Sequence, residues 1–357
     1  RGDAGKATTA TLTRARHNPN SPTFMPATFE RSQVGRREDL ADAIYNIDAK
    51  DYPLLSAVPK GKKLVRTRFD WQCDAYAAPN TDGVVDGADV STYEDAAENR
   101  AVLYGQVQKV RRTPMVTEMA EDVSDVAGVT SEMANAIKKK TIECKRDVEA
   151  TLGSDNASQT DNGTVPYKTR GLGEWIKATA QSHLPVDSDF LTPSASIDTT
   201  ALASLTKAIV NDVMKSQYTQ TGKRQSYMFL CGTSLKARFT TMVGYQPTVS
   251  NFTAILRSNR GDATKYQDNI ETLEGDFGTY DLVLSNWLGY NNGTQAADAR
   301  RGYALDMSML ELRFNKQWSY KALPDLDGGP RGVIKAIFGL CVKNPKGLAK
   351  FAASADS

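Results

Sequence analysis

Two histidines and four cysteines carry most of the chemical potential of this 357-residue sequence. Neither His17 nor His183 sits near a Cys or a carboxylate at metal-ligand spacing, so no zinc site is expected. Cys73, Cys144, Cys231 and Cys341 form no C-x-x-C pair, and they read as free thiols serving as small apolar residues in a reducing compartment. There is no G-x-x-x-x-G-K-S/T phosphate loop, no G-x-S-x-G elbow and no strand-anchored G-x-G-x-x-G. Gly171-Leu172-Gly173 lacks the third glycine of a dinucleotide loop and reads as a turn. Acidic residues are plentiful, but acids without a cleft carry no acid–base signal. The inventory points away from an enzyme, a metal or any cofactor.

Charge is more informative in its distribution than in its sum, a net +2. Residues 1–37 carry seven Arg/Lys against two acids, and residues 64–108 carry eight acids against three Arg and no Lys. Residues 300–350 carry ten bases against four acids. Opposite signs in separate segments of one chain suit mutual docking. The Lys138-Lys139-Lys140 run fits a phosphate site or a solvated face. Bases interleaved with aromatics over 300–321 (Arg300, Arg301, Tyr303, Arg313, Phe314, Trp318, Tyr320) fit nucleic acid or plain strand alternation.

The element that organises these segments is a long amphipathic helix over 124–152. Val129, Met133, Ala136/Ile137, Thr141, Cys144, Val148 and Leu152 recur at helical spacing, and Gly153 to Asn156 supply the stop. Its other faces carry Lys138 to Lys140, Glu143, Lys145, Arg146, Asp147 and Glu149. Before it, residues 1–37 have no period and read as an extended arm. A short helix over 38–47 and a turn-rich stretch lead into alternating residues 64–72, an acidic loop over 79–98 and a returning strand over 100–112. Such a long hairpin with little apolar content needs another surface to lie on. After the helix, 179–199 read as a linker. An α/β unit follows from Ser204, with a buried strand Tyr227–Cys231, and strand patterns run over 270–288 and 302–342. No stretch approaches the roughly 18 apolar residues needed to cross a bilayer, so no membrane partner is expected.

An arm, an acidic hairpin, a lone long helix and then an α/β unit resemble the major capsid proteins of tailed bacteriophages with the Hong Kong 97-type fold. The residues that carry the likeness begin with Arg37-Glu38-Asp39-Leu40 to Ile44, Asn46-Ile47 and Tyr52-Pro53-Leu54-Leu55. Lys60-Gly61-Lys62, Trp71-Gln72 before Asp74, Gly171-Leu172 before Trp175-Ile176, and Asn344-Pro345-Lys346 complete them. The resemblance implies an α+β fold. Residues 1–37 would be an N-terminal arm, 38–63 and 109–177 a peripheral domain with the long helix as its spine, and 64–108 an extended loop. Residues 178–299 would be an axial domain, and 300–357 a return to the peripheral sheet.

The same resemblance implies self-assembly as hexamers and pentamers into an icosahedral shell around phage double-stranded DNA, without sequence recognition. The shell would be the virion capsid, assembled in the bacterial host cytoplasm, with scaffolding, decoration and portal proteins as further partners. A scaffolding-like domain, absent ahead of the arm, would be cleaved or supplied by another protein. The hairpin has no lysine between Lys63 and Lys109, so the lysine–asparagine cross-link of the founding member is not expected. An encapsulin-type cellular shell and a basic-arm DNA-binding protein are the alternative readings. In this fold the extended loop lies over an adjacent subunit. The acidic tip, Asp82, Asp86, Asp89, Glu94 and Asp95, is therefore expected to dock on a basic cluster of a neighbour. Lys138, Lys139 and Lys140 are one candidate dock, and Arg36 and Arg37 are the other.

Overall fold

A computed structural model describes residues 51–95, 99–122, 131–179, 186–244, 270–288, 290–291, 294–295 and 300–352. The expected arm, the helix over 38–47, both histidines, and Arg36 and Arg37 lie outside the described residues. The first half of the chain forms α1 (Pro53–Ala57), β1 (Arg68–Cys73), β2 (Ala101–Gln106), β3 (Gln108–Arg112), α2 (Glu118–Asp122), α3 (Glu132–Leu152) and α4 (Leu172–Trp175). Next come β4 (Ile197–Asp198), α5 (Lys207–Thr221), β5 (Ser226–Cys231), α6 (Thr233–Gly244), β6 (Thr272–Glu274) and β7 (Thr279–Leu284). The chain closes with β8 (Tyr290–Asn291), β9 (Thr294–Gln295), β10 (Gly302–Leu305), β11 (Leu310–Leu323), β12 (Arg331–Val342) and β13 (Ala349–Phe351).

The sequence places the long helix over 124–152; residues 124–130 lie outside the described residues, and α3 begins at Glu132. Ser131 is extended, and its hydroxyl accepts the Ala134 N–H at 3.2 Å. Glu121 of α2 reinforces this start, accepting from the Ser131 hydroxyl at 2.6 Å and the Met133 N–H at 2.9 Å. The 21 residues of α3 make a rod of about 32 Å. Met133, Cys144, Val148 and Leu152 are buried as the period requires. Glu149 departs from it. The sequence places it on a charged face, yet it is 2% exposed. Its two oxygens accept the N–H groups of Leu54 at 2.9 Å and Leu55 at 2.7 Å, donors in the first turn of α1 that no helical carbonyl reaches. Desolvation outweighs those hydrogen bonds and pushes the Glu149 carboxyl up to about 7.

Two sheets hold the described chain together. β11, β12 and β3 form an antiparallel three-stranded sheet, and the six-stranded sheet has the order β4-β13-β10-β5-β7-β6. The last segment, read from the sequence as returning to a single sheet, thus supplies β11 and β12 to one and β10 and β13 to the other. β5 reads as a continuous apolar run because both its faces are covered. Leu230 faces the core shared with α3 and α4, whereas Tyr227, Phe229 and Cys231 face the core shared with α5 and α6. On the second side the Phe229 ring lies 5.3 Å from Phe239, 5.1 Å from Tyr280 and 5.4 Å from Phe351. Residues 186–199 are packed instead of forming a bare linker. Val186 and Phe190 are buried, and the Thr192 hydroxyl donates to the Pro345 carbonyl at 2.9 Å. Three-residue helical turns bury these side chains without any long period that a sequence could display.

A buried ionic cluster joins the end of α3 to the six-stranded sheet. Lys350 of β13 is 0% exposed, donates to the Gly173 carbonyl at 3.1 Å and lies 3.5 Å from Asp155. Arg301, also buried, pairs with the other Asp155 oxygen. The Tyr303 hydroxyl donates to the Gly153 carbonyl at 3.2 Å. Gly173, expected only to make a turn, is required by this approach, because a Cβ there would stand 1.6 Å from Asp155 Oδ1.

The segment after α1 is fixed to the edge of β11. Gly61 N–H donates to the Leu312 carbonyl at 2.9 Å, Leu312 N–H to that of Pro59 at 2.9 Å, and Leu64 N–H to that of Phe314 at 3.1 Å. The Trp71 indole N–H donates to the Lys343 carbonyl at 3.1 Å. The β1–β2 hairpin therefore leaves the body from a rigid base.

Two stability outcomes follow. Asp155→Ala leaves two buried cations without their carboxylate and is expected to destabilise by about 3–5 kcal/mol. Lys350→Met removes a charge without stranding one and should destabilise by less; denaturant midpoints of the purified chain check the order. Glu149 titrates in the folded chain at about 7, above its unfolded value of about 4.3. Its contribution is therefore fully present below the unfolded value and is lost as pH rises through 7. The loss reaches at most about 4 kcal/mol, because each pH unit between the two values removes roughly 1.4 kcal/mol. Glu149→Gln, which mimics the protonated acid, should remove that slope between pH 4.5 and 7 in melting experiments.

Candidate functional site

Among the described residues, no group of His, Cys, Asp and Glu is arranged to hold a metal ion. All four cysteines are buried, and burial pushes the thiols of Cys144 and Cys231 up to about 11 and that of Cys341 up to about 12, far from thiolate chemistry. What the chain offers instead is surface.

Residues 74–100 leave the β1–β2 ladder at the Cys73–Ala101 pair. Arg100 closes the base of this loop on Asp74 at 3.1 Å. Its described residues contain neither strand nor helix. Local hydrogen bonds include Asp82 N–H to the Asn80 side chain at 2.8 Å and Ala88 N–H to the Val85 carbonyl at 3.1 Å. Asp82, Asp86, Asp89, Glu94 and Asp95 are all exposed. So are five large apolar side chains that the acidic composition overshadows. Tyr76, Val84, Val85, Val90 and Tyr93 are each at least 71% exposed. Their signal in the sequence is an apolar pair, Val84-Val85, inside a turn-rich stretch. Single exposed apolar residues need no explanation, but a group on one extended loop marks a contact surface.

The basic candidates are less alike than their sequence run suggests. Lys138 and Lys139 are exposed on α3, whereas Lys140 is half-buried and holds Glu143 at 2.8 Å. No described ion pair joins Asp82, Asp86, Asp89 or Glu94 to these lysines within the chain.

A second basic surface, not singled out by the sequence, lies at β3. Lys109 and Arg111 are exposed there, and Lys335 of β12 is the direct cross-strand partner of Arg111. Beside them, Arg112 Nε and Nη2 donate to Asp147 of α3 at 2.7 and 2.6 Å, which fixes the strand to the helix. An open cavity of about 930 Å³ lies between β3 and α3.

A model of the SU10 major capsid protein family matches residues 11–355. The fold is similar to a solved structure from Mycobacterium phage Bobi, with a TM-score of 0.56, 11% identity, and 92% of this chain and 99% of that one covered. It is similar to the capsid of cyanophage P-SCSP1u, with a TM-score of 0.55, 11% identity, and 93% and 99% covered. The capsid of a native GTA particle gives a TM-score of 0.54 at 12% identity, with 91% and 97% covered. No curated protein matches the sequence. At such identities the structures speak for a shared Hong Kong 97-type fold. The family match, spanning nearly the whole sequence, speaks for membership: this chain belongs to the SU10 major capsid protein family, and it is a structural subunit of a phage capsid, not an enzyme.

Proposed function

We propose that the subunits form the hexamers and pentamers of an icosahedral shell that encloses phage double-stranded DNA, assembled in the cytoplasm of the bacterial host. Scaffolding, decoration and portal proteins would be its further partners. The DNA would be enclosed without base recognition. Residues 64–108 act as the extended loop between subunits, and residues 1–37 as the arm. The peripheral domain is 38–63 and 109–177, and the axial domain is 178–299. The pairing of β10 with β5, and of β13 with β10, favours dividing 300–357 between the two.

The observation that carries this reading is the loop over 74–100, where acids and large apolar side chains stand out from the body with no core of their own. Fully burying each such apolar side chain contributes about 1.5–3 kcal/mol, and a neighbouring subunit would provide the surface. The acidic tip docks on a basic cluster of that neighbour. The clusters foreseen from sequence are Lys138 to Lys140 and Arg36 with Arg37; the Lys140–Glu143 pair leaves Lys138 and Lys139 the freer part of the first.

Changing Asp82, Asp86, Asp89, Glu94 and Asp95 together to Lys is expected to abolish particles in negative-stain micrographs. Melting of the unassembled chain should move by no more than about 0.5 kcal/mol equivalent per exposed site. Normal particles from that variant would refute the docking role of the loop. Raising salt so that the Debye length falls from about 10 Å to 3 Å should lower the yield of wild-type particles. With no lysine between Lys63 and Lys109, and buried thiols, the shell should be non-covalent. Boiled, reduced particles should run as one band at the chain mass, and a ladder of multimers would contradict this.

A further inference from the structure

Asn162-Gly163 is one of two Asn-Gly dipeptides in the sequence, and the other, Asn292-Gly293, lies outside the described residues. It stands at the tip of an excursion after α3. Gln159 and Lys168 close the base of that excursion, each donating its N–H to the other's carbonyl, at 3.1 and 3.0 Å. Residues 160–164 are exposed. Asn-Gly suits such a turn because glycine enters the left-handed region freely, and Gly163 has a φ of +87°.

The hydrogen bonds of this turn fall on the atoms that a ring closure between the two residues would use. The Gly163 N–H donates to Asp161 Oδ1 at 2.7 Å. The Asn162 side-chain carbonyl accepts the N–H groups of Thr164 at 3.1 Å and Val165 at 2.8 Å. Its amide nitrogen makes no hydrogen bond among the described residues. Each contact alone is an ordinary turn bond. What is particular is that they converge on one Asn-Gly pair. The attacking nitrogen has a carboxylate on its proton, the carbonyl has two donors on its oxygen, and the leaving amide is open to water. A carboxylate so placed can take the proton, and two backbone donors stabilise the negative charge that develops on a carbonyl oxygen under attack.

We infer that Asn162 is a self-modification site, at which the turn converts its own asparagine to aspartate and isoaspartate. The Gly163 nitrogen attacks Asn162 Cγ, and its proton passes to Asp161. The new N–Cγ bond closes a succinimide ring, the Cγ–Nδ2 bond breaks, and ammonia leaves with that proton. Water then adds to either ring carbonyl. One opening gives aspartate, and the other reroutes the main chain through Cγ and gives isoaspartate. No oxidant or cofactor enters. Glycine matters twice, since a side chain at 163 would crowd the attacking nitrogen and resist the positive φ. Each converted subunit gains a carboxylate beside Asp161 on an exposed tip, which lowers its formal charge of +2 by one. A shell of many copies therefore records its age in the charge of these turns.

The test incubates the purified chain at neutral pH in heavy-oxygen water, folded in one sample and unfolded in guanidinium in another. Digestion at acid pH and mass spectrometry follow. Heavy oxygen at residue 162 marks conversion during the incubation. Isoaspartate marks the succinimide, because direct hydrolysis gives aspartate alone. Both are expected, at a rate in the folded chain no lower than in the unfolded one. Asp161→Ser keeps an acceptor for the turn and removes the base. It should slow the folded chain by about tenfold and leave the unfolded rate unchanged. An Asn162 that stays intact in the folded chain while converting in the unfolded one would show that the turn protects it, and would overturn the inference. Equal folded rates with and without the Asp161 carboxylate would overturn the assigned base, and aspartate without isoaspartate would overturn the ring closure. As a second measurement, subunits from stored particles, resolved by charge, should drift toward the acidic side, and Asn162→Gln should remove a component of that drift. A drift that Asn162→Gln leaves unchanged comes from other residues and counts against the site.

Discussion

The contact of Asp155 with two buried cations is the constraint on which the rest of the molecule depends. Apolar packing is non-directional, and by itself it fixes the placement of α3 on the three-stranded sheet only loosely. Buried charges are not so tolerant. Lys350 and Arg301 must both reach Asp155, and the Gly173 carbonyl must reach Lys350, or a buried charge loses a partner at a penalty of several kcal/mol. That requirement selects one placement of the helix end. From it the rest follows mechanically: Glu149, less than two turns earlier, caps α1, and the chain after α1 pairs with β11. The Trp71 indole, anchored on Lys343, then sets the direction in which the hairpin leaves.

Beyond this rigid base the chain invests nothing in the loop. The body buries three apolar clusters, the two larger ones meeting across β5, whereas residues 74–95 contribute no buried side chain. A subunit built this way has a well-determined interior and an extended element whose order must come from elsewhere. That division suits a shell, in which the base sets the direction of the loop and, in the proposed docking, a neighbour would set its conformation.

Periodicity makes the scaffold legible. The stripe of Met133, Cys144, Val148 and Leu152, the apolar run of β5 and the alternation around Phe69 and Trp71 each reflect a face repeatedly turned toward a core. What stays hidden involves partners far apart in sequence. Glu149 looks like any solvated helix glutamate until α1, 95 residues away, brings Leu54 to it. Lys350 looks like a surface lysine, although its partner Asp155 lies 195 residues away. Gly173 reads as a turn because the carboxylate that excludes a side chain there is not local. Residues 186–199 read as a linker because short turns bury single side chains without a repeat. The acidic character of the loop is legible as composition. Its apolar side chains are visible too, but their exposure depends on the absence of a neighbouring face, which no sequence records.

Acids and apolar residues on the same loop have separate roles, and their magnitudes show why both are present. Exposed ion pairs contribute about 0–1 kcal/mol each and weaken with salt. Burial of Val84, Val85, Val90 and Tyr93 contributes about 1.5–3 kcal/mol per side chain and is not screened. In the proposed docking the apolar side chains would therefore supply most of the attraction, and the carboxylates would decide where and when it acts. In a lone subunit acids of like charge on one loop would disfavour contact between the apolar residues of two loops. On the basic surface of the proposed docking the same acids would be neutralised, and the repulsion that opposed contact would disappear as contact forms. A loop bearing only apolar residues would stick to any exposed face, its own copies included. One bearing only acids would find its site and leave it.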